Sequence, residues 1–240
     1  MAKGRILRRK MERKWLRAVA TLFILFMAGN MLIRSGLPSL LWKMGVSAVR
    51  EHTIPIPEEW NLIVVNRWNE IPEDYSVTLT ELSNGQKVDS RIYPYLQEMF
   101  DAMKAEGIYP IVREGYRTAE EQKKIFDDKI FAYVREGYSR KRAEKLAGGM
   151  VAVPGASEHQ LGIAVDINAD KSRSTNDEVY QWLAGNAYKY GFILRYPQGK
   201  EDITGTDYEP WHYRYVGEDV AEEIYMKQIC LEEYVMPAKD

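Results

Sequence analysis

Two short segments in the C-terminal half, 157–166 and 209–212, constrain this fold more than any other feature. The chain has only three histidines, and two of them, His159 and His212, lie in these segments. Two neutral imidazoles and the carboxylate of Asp166 can hold Zn²⁺ while leaving one coordination position for water, which is typical of catalytic rather than structural zinc sites. A fold that uses these residues must bring both segments together.

The surroundings of Asp166 favour a metal ligand. Asp166 lies between Val165 and Ile167 in a strand-like run, and a buried carboxylate is costly without a partner, which a metal ion would supply. On one continuous strand, the odd spacing from His159 would put the two side chains on opposite faces. We therefore predict a turn at Gly162, with His159 on the loop before the strand.

Glu209 is a candidate general base. It lies three residues before His212, where a free carboxylate is well placed to take a proton from water. Pro210 favours extended backbone at Glu209, which excludes the helical His-Glu-x-x-His zinc motif. Two histidines and a carboxylate also match non-haem iron oxygenases. Those enzymes usually place the carboxylate two residues from the first histidine and need no spare glutamate, so zinc hydrolysis is the better interpretation. His52, the third histidine, is interpreted as an ordinary residue.

The N-terminus predicts a membrane anchor. Residues 1–17 hold eight lysines and arginines and one glutamate, and residues 18–33 form an apolar run interrupted only by Gly29 and Asn30. A bilayer span needs roughly 17–25 residues, so this run is about the shortest that suffices. The basic flank predicts a cytoplasmic N-terminus with the rest of the chain outside. A cleaved signal peptide is the alternative, but no clean Ala-x-Ala site follows, so we expect an uncleaved, single-pass anchor in the cell membrane.

The remaining sequence divides into a stalk, residues 34–59, and a globular domain, residues 60–240. The net charge of −2 conceals an acidic remainder, because the positive charge is concentrated in the tail. This distribution excludes a basic nucleic-acid-binding domain. The single cysteine, Cys230, cannot form an intrachain disulfide and is interpreted as a small core residue.

Helices and short strands mix without a regular βαβ alternation. We therefore predict an α+β fold with a small, mainly antiparallel sheet flanked by helices. Capping boxes begin at Thr118 and Thr175. Hydrophobic periodicity predicts strands over 62–65, 108–113, 163–167, 192–194 and 212–216, and helices over 90–106, 119–135, 139–148, 175–190 and 218–234.

Several separated motifs occur in an order that resembles VanY-type D-alanyl-D-alanine carboxypeptidases. The segment 155–166 contains the Ser-x-His motif and Asp166, and residues 208–217 contain Glu209-Pro210-Trp211-His212. Further similar segments are 114–118, 191–197 and 203–205. The resemblance covers about residues 60–235, and the anchor and stalk lie outside it.

The resemblance implies a fold and a role for each matching position. The fold would be the small α+β zinc-peptidase fold shared with hedgehog signalling domains. His159, Asp166 and His212 are similar to the zinc ligands, and Glu209 to the general base. By the same resemblance, Arg117 would contact the scissile carbonyl, Ser157 would bind the terminal carboxylate of the substrate, and Gln122 and Trp211 would line the substrate pocket.

The resemblance also implies an activity and its partners. We expect an extracytoplasmic zinc carboxypeptidase that removes C-terminal D-alanine from peptidoglycan stem peptides, with the lipid bilayer holding its anchor. Two alternatives remain: an L,D-carboxypeptidase acting on tetrapeptide stems, and a non-catalytic wall-binding module containing zinc. Glu209 argues against the second, because a structural site needs no free carboxylate beside the metal. A pure dipeptidase is disfavoured, because an enzyme anchored on the outer face lies beside polymer.

Overall fold

A computed structural model describes residue 54 and residues 59–236 of the chain. The predicted tail, anchor and most of the stalk lie outside these residues, so the domain boundaries stay predictions. None of the helices within the described ranges has both the length and the apolar character needed to cross a bilayer.

The described part of the chain is built around a four-stranded sheet in which every neighbouring pair of strands is antiparallel. Its strands, in spatial order, are β3 (Pro110–Glu114), β4 (Ala164–Ala169), β6 (His212–Tyr215) and β5 (Phe192–Leu194). A separate hairpin pairs β1 (Leu79–Glu81) with β2 (Lys87–Asp89). The predicted α+β fold with small antiparallel sheets is confirmed.

Seven helices are found within the described residues. They are α1 (Tyr93–Ala105), α2 (Ala119–Arg135), α3 (Arg140–Met150), α4 (Asn176–Asn186), α5 (Glu201–Thr204), α6 (Glu218–Lys227) and α7 (Leu231–Val235). Two 3-10 helices cover Glu158–Leu161 and Ala187–Tyr190. The predicted capping boxes are both formed, with Thr118 and Thr175 each accepting from the backbone N–H three residues later.

The two faces of the sheet have different chemistry because side chains alternate along each strand. Ile167 of β4 and Tyr213 of β6 lie in the main hydrophobic core. Leu96, Met99 and Met103 of α1 contribute to the same core, and burying each stabilises the fold by about 1.5–3 kcal/mol. The alternate residues of β4 and β6, among them Asp166, His212 and Arg214, are therefore carried on the opposite face, which is mostly polar along these two strands.

Three local predictions were wrong. Residues 62–65 do not form a strand; Arg214 Nη2 instead donates to the carbonyls of Asn61 and Ile63, at 3.0 and 2.8 Å. The helix expected over 218–234 is two helices, separated at Gln228, whose φ of 54° is left-handed. The helix expected over 175–190 ends at Asn186 and continues as a 3-10 turn. The β1–β2 hairpin was not predicted.

Helices α2 and α3 form a helical hairpin with a small core of their own. Ile130, Ala143 and Ala147 are buried there, with Phe126 and Tyr133 packed against them. The hairpin borders the polar face of the sheet, because Ile125 of α2 and Met150 of α3 line the pocket described next.

Candidate metal centre

The register of the two central strands places Asp166 beside His212. These residues are direct partners in the antiparallel β4–β6 pair, so their side chains lie on one face of the sheet. His212 Nδ1 is 2.9 Å from Asp166 Oδ1. The two sequence segments that had to meet therefore do so through strand pairing.

His159 reaches the same point from the 3-10 helix before β4. Gly162 ends that helix with a left-handed φ of 74°, and a Cβ there would lie 3.2 Å from both Asp89 N and Val77 Cγ2. The predicted turn is thus present and requires glycine. His159 Nδ1 is 2.9 Å from the Gly115 carbonyl oxygen. Because a carbonyl only accepts, Nδ1 carries the proton and Nε2 is free, 3.5 Å from Asp166 Oδ1.

The three predicted ligands fit a single metal ion. His159, Asp166 and His212 each offer one donor atom, and these atoms lie within 4.8 Å of one another. Zinc bonds nitrogen and oxygen at about 2.0–2.2 Å, which puts donors around one ion roughly 3–4 Å apart. The separations of 2.9 and 3.5 Å involving Asp166 lie in or just below that range. Three ligands leave a coordination position open, as a catalytic site requires.

The electrostatics of this centre favour a cation. Burial opposes the charged form of Asp166, but the imidazoles of His159 and His212 outweigh it and hold the pKa of Asp166 well below its usual range. Burial also opposes protonation of His212, yet its contact with Asp166 and the nearby carboxylate of Glu158 raise its pKa to about 9. A metal ion held at this centre would take the place of a His212 proton.

Glu209 lies in the turn that enters β6, where the His212 N–H donates to the Glu209 carbonyl at 3.3 Å. This agrees with the predicted non-helical arrangement. The Glu209 carboxylate lies beside the ligands, with Oε2 3.8 Å from His212 Nδ1. Burial raises the pKa of Glu209 to about 7, although the charge of His212 opposes the change. A carboxyl group that titrates near neutrality is suited to accepting and returning a proton.

Arg117 lies beside the ligands and is also ion-paired with Glu114. Its side chain is 12% exposed, and its Nη2 lies 3.5 Å from Glu114 Oε2. Nη1 donates to Gln122 Oε1 at 2.6 Å, and Gln122 Nε2 donates to the Ala152 carbonyl at 2.6 Å. The backbone N–H of Arg117 donates to the His159 carbonyl at 3.1 Å. Gln122 therefore holds the guanidinium in place beside the ligands.

All eight site residues predicted from the sequence line one pocket of about 160 Å³. They are Arg117, Gln122, Ser157, His159, Asp166, Glu209, Trp211 and His212. A larger cavity of about 280 Å³ is lined by none of them. We assign the site to the smaller pocket, because convergent polar groups with perturbed pKa values mark a functional site better than volume does. The shared location is observed, and the individual roles stay predictions.

Comparison with known proteins places the chain among peptidases of one family. The family model described as VanY, D-alanyl-D-alanine carboxypeptidase, matches residues 85–218. A D-alanyl-D-alanine carboxypeptidase of Enterococcus faecalis is 56% identical over 182 residues, which are 76% of this chain and 68% of that relative. The chain belongs to the VanY family.

Solved structures of VanY proteins share the fold. The crystal structure of a mutant vancomycin-resistance D,D-pentapeptidase VanY in complex with Zn(II) has 57% identity and a TM-score of 0.72, and the match covers 74% of this chain and 99% of that one. VanYB in complex with D-alanine-D-alanine has 56% identity and a TM-score of 0.73, over 75% of this chain and 100% of that one. The LdcB LD-carboxypeptidase is more distant, at 34% identity and a TM-score of 0.64, over 78% and 96%.

Behind the metal centre, this VanY-family chain has a second polar cluster that sequence reasoning missed. Glu158, Arg195, Arg214 and Glu232 are all buried. Arg195 Nε and Arg214 Nη1 each donate to Glu158 Oε1 at 2.7 Å. Arg195 also donates to both Glu232 oxygens, at 2.8 and 2.6 Å. The available signal was the arginine in each of two short apolar strand regions, since arginine is almost never fully buried without a partner.

Proposed function

We propose that this protein is a zinc carboxypeptidase that removes the C-terminal D-alanine from peptidoglycan stem peptides ending in D-Ala-D-Ala. The observation that carries the proposal is the convergence of three donor atoms within 4.8 Å, in a pocket also lined by Glu209 and Arg117. The Zn(II) and D-alanine-D-alanine complexes of VanY proteins at 57% and 56% identity support both the metal and the substrate.

The ligand atoms follow from the hydrogen bonds. His159 would bind zinc through Nε2, because its Nδ1 proton is held by the Gly115 carbonyl. Asp166 would bind through Oδ1 and His212 through Nδ1, the two atoms that already face each other. Zinc held by these three residues would polarise a carbonyl group and make water a better nucleophile.

Two side chains complete the chemistry. Glu209 accepts the proton of the water that attacks the scissile carbonyl carbon, and returns it to the departing amine. Arg117 donates to the carbonyl oxygen as negative charge develops there. Its Nε is buried and has no hydrogen-bond partner among the described residues, so a donor is available. One such donor lowers the barrier by about 2.7–4 kcal/mol.

Two further residues of the pocket would bind the peptide. Ser157 is 3% exposed, and its hydroxyl would donate to the terminal carboxylate of the substrate. Trp211, which is half-buried, would form a wall against the D-alanine side chain. The small size of the pocket, about 160 Å³, suits a terminal residue rather than an internal stretch of peptide.

The competing substrate is the L,D bond of a tetrapeptide stem. An L,D-carboxypeptidase structure matches this chain at 34% identity, against 56% for VanYB. The larger likeness favours the D,D bond. A non-catalytic wall-binding module is disfavoured, because it gives no role to a half-buried Glu209 beside the ligands.

We further propose that the first 33 residues anchor the catalytic domain on the outer face of the cell membrane. The support is the sequence alone: a basic tail followed by an apolar run. Membrane fractionation, followed by protease treatment of intact spheroplasts, checks this proposal. Recovery of the full-length protein in the soluble fraction would contradict it.

The activity is tested with the full-length protein in detergent micelles, supplied with zinc. Release of D-alanine is measured from pentapeptide and tetrapeptide stems in parallel. We expect cleavage of the pentapeptide, and we expect Glu209→Ala to lower turnover by about 10²–10⁴-fold while zinc affinity changes by less than about threefold. Glu222→Ala, on the exposed face of α6, is the matched control.

Three other outcomes would each contradict part of the proposal. Turnover by Glu209→Ala equal to that of the wild type would remove Glu209 as the base. Faster release from the tetrapeptide would assign the L,D activity. Tight zinc binding without cleavage of either peptide would favour the binding module.

A further inference from the structure

Two buried polar atoms face each other behind the metal centre. Glu158 Oε2 and His212 Nε2 are both buried, and neither has a hydrogen-bond partner among the described residues. They lie 3.6 Å apart, a few tenths of an ångström beyond a good hydrogen bond. Buried polar atoms without a partner are rare and costly, so this pair needs an explanation.

Glu158 cannot turn away from His212. Its other oxygen, Oε1, accepts from Arg195 Nε and from Arg214 Nη1, both at 2.7 Å. Its side chain is fully buried. The one unused oxygen is therefore fixed in direction, toward the His212 ring.

The two arginines are themselves held. Arg195 makes a two-pronged contact with Glu232 of α7. Arg214 donates to the carbonyls of Asn61, Ile63 and Tyr215, at 3.0, 2.8 and 3.1 Å. Groups this well bonded fix the position of the acceptor before any ligand arrives.

We infer that Glu158 is a positioning residue for the metal centre: its Oε2 accepts a hydrogen bond from His212 Nε2–H and thereby keeps His212 Nδ1 unprotonated and directed at the metal. The inference rests on the zinc site proposed above. Only Nδ1 faces Asp166 and Glu209, so His212 ligates only in the tautomer that carries its proton on Nε2. A fixed carboxylate oxygen stabilises that tautomer.

The substitution Glu158→Gln isolates this effect. The amide oxygen of glutamine can replace Oε1 between the two arginines, which turns its NH₂ group toward His212. An NH₂ group only donates, so it opposes Nε2–H and favours a proton on Nδ1, the nitrogen that zinc needs. Shape and volume are nearly retained. Glu233→Gln is the matched control, because Glu233 is on α7 and pairs with Lys200, away from His212.

The measurement is the zinc dissociation constant of the full-length protein, determined by competition with a fluorescent chelator. We expect Glu158→Gln to raise it by about 10- to 100-fold, and Glu233→Gln to leave it within about threefold. In ¹⁵N-histidine spectra of the zinc-loaded wild type, His212 should show a protonated Nε2 whose proton exchanges slowly with water.

The outcomes separate this inference from the proposed function. Wild-type protein that fails to bind zinc would overturn the metal site itself. Zinc binding by Glu158→Gln as tight as by wild type, with circular dichroism showing a folded protein, would overturn only the role of Glu158. If the variant does not fold, the wild-type spectrum still decides, because an Nε2 proton in fast exchange with water contradicts the hydrogen bond.

Discussion

Two clusters of polar side chains lie side by side in this molecule, and they differ in charge balance. The metal cluster, comprising His159, Asp166, Glu209 and His212, borders the pocket. The ion-pair cluster, comprising Glu158, Arg195, Arg214 and Glu232, lies behind it and is buried throughout. The first contains two carboxylates and two imidazoles, and the second contains two carboxylates and two guanidinium groups.

This difference in charge balance explains why the metal cluster favours binding of a cation and the ion-pair cluster does not. In the ion-pair cluster the charges cancel, and the short contacts among its members satisfy most of the donors and acceptors. The metal cluster has an excess of carboxylate and a raised pKa at Glu209, and this excess is what a divalent ion would neutralise. The ion-pair cluster therefore holds its side chains in fixed positions, and the metal cluster can bind a ligand.

The largest effect is expected from removing the metal. Dialysis against a strong chelator should abolish D-alanine release, and added zinc should restore it. Zinc binds the folded state, so at a free concentration of about 1,000 times Kd it stabilises the fold by about 4 kcal/mol. Thermal unfolding with and without zinc measures that difference. Full turnover after the metal has been shown to be absent would contradict the proposed chemistry, and a zinc-independent melting curve would show that the metal cluster does not bind the ion.

Breaking the ion-pair cluster should lower the free energy of unfolding more than it lowers zinc affinity. Arg214→Met removes one partner of Glu158 and three backbone hydrogen bonds. Removing one member of a buried pair destabilises by about 3–5 kcal/mol, because the remaining charge is uncompensated. Urea unfolding measures the loss.

The zinc affinity of Arg214→Met tests whether the ion-pair cluster affects the metal cluster. Arg195 still holds Glu158 Oε1 in Arg214→Met, so the zinc dissociation constant should rise less than in Glu158→Gln. A fold as stable as the wild type would show that the ion-pair cluster does not contribute to stability. Arg113→Met, at an exposed position of β3, is the control for the substitution itself.

A substitution confined to the pocket should lower turnover and leave the stability of the fold nearly unchanged. Arg117→Ala removes the proposed donor to the carbonyl oxygen and should lower kcat by about 10²–10³-fold. Zinc affinity should stay within about threefold, because Arg117 is not a ligand. Steady-state kinetics on the pentapeptide measures the effect, with Arg113→Ala as the control. A change in KM alone would assign Arg117 to substrate binding instead.

The metal cluster could be predicted from the sequence because its chemistry is concentrated in short motifs. His159, Asp166, Glu209 and His212 are each recognisable by residue type and spacing. Two local signals, the turn at Gly162 and the non-helical backbone at Glu209 before Pro210, were predicted correctly. The helices beginning after Thr118 and Thr175 were predictable for the same reason, since capping boxes are local.

The two arginines were a signal for the ion-pair cluster, but their partners could not be predicted, because they are far apart in the chain. Glu158 meets Arg195 and Arg214 across 37 and 56 residues. The same distance effect explains the failed strand at 62–65. Ile63, Val64 and Val65 are buried, but the Arg214 side chain donates to the Ile63 carbonyl, which a neighbouring strand would have paired. The end of α6 at Gln228 could not be predicted, because the left-handed position there is occupied by glutamine and not by glycine.

The smallest expected difference is one between two variants, and it uses Cys230 to report whether the ion-pair cluster stays closed. Cys230 precedes α7, which carries Glu232, and its side chain is buried, as predicted. Burial, together with the charge of Glu232, raises the pKa of the thiol from its ordinary value near 9 to about 12. A raised thiol pKa stabilises the fold below about pH 9, and this contribution is lost as the pH rises toward 12.

At pH 8 the folded protein should therefore contain about 1,000-fold less thiolate than the unfolded chain, and labelling by a thiol reagent should be slow in proportion. Denatured protein provides the reference rate. Arg214→Met should label faster than Arg117→Ala, because only the first loosens the ion-pair cluster and allows α7 to open. Equal rates in the two variants would mean that α7 is held by its apolar contacts alone and that the buried ion pairs do not restrain it.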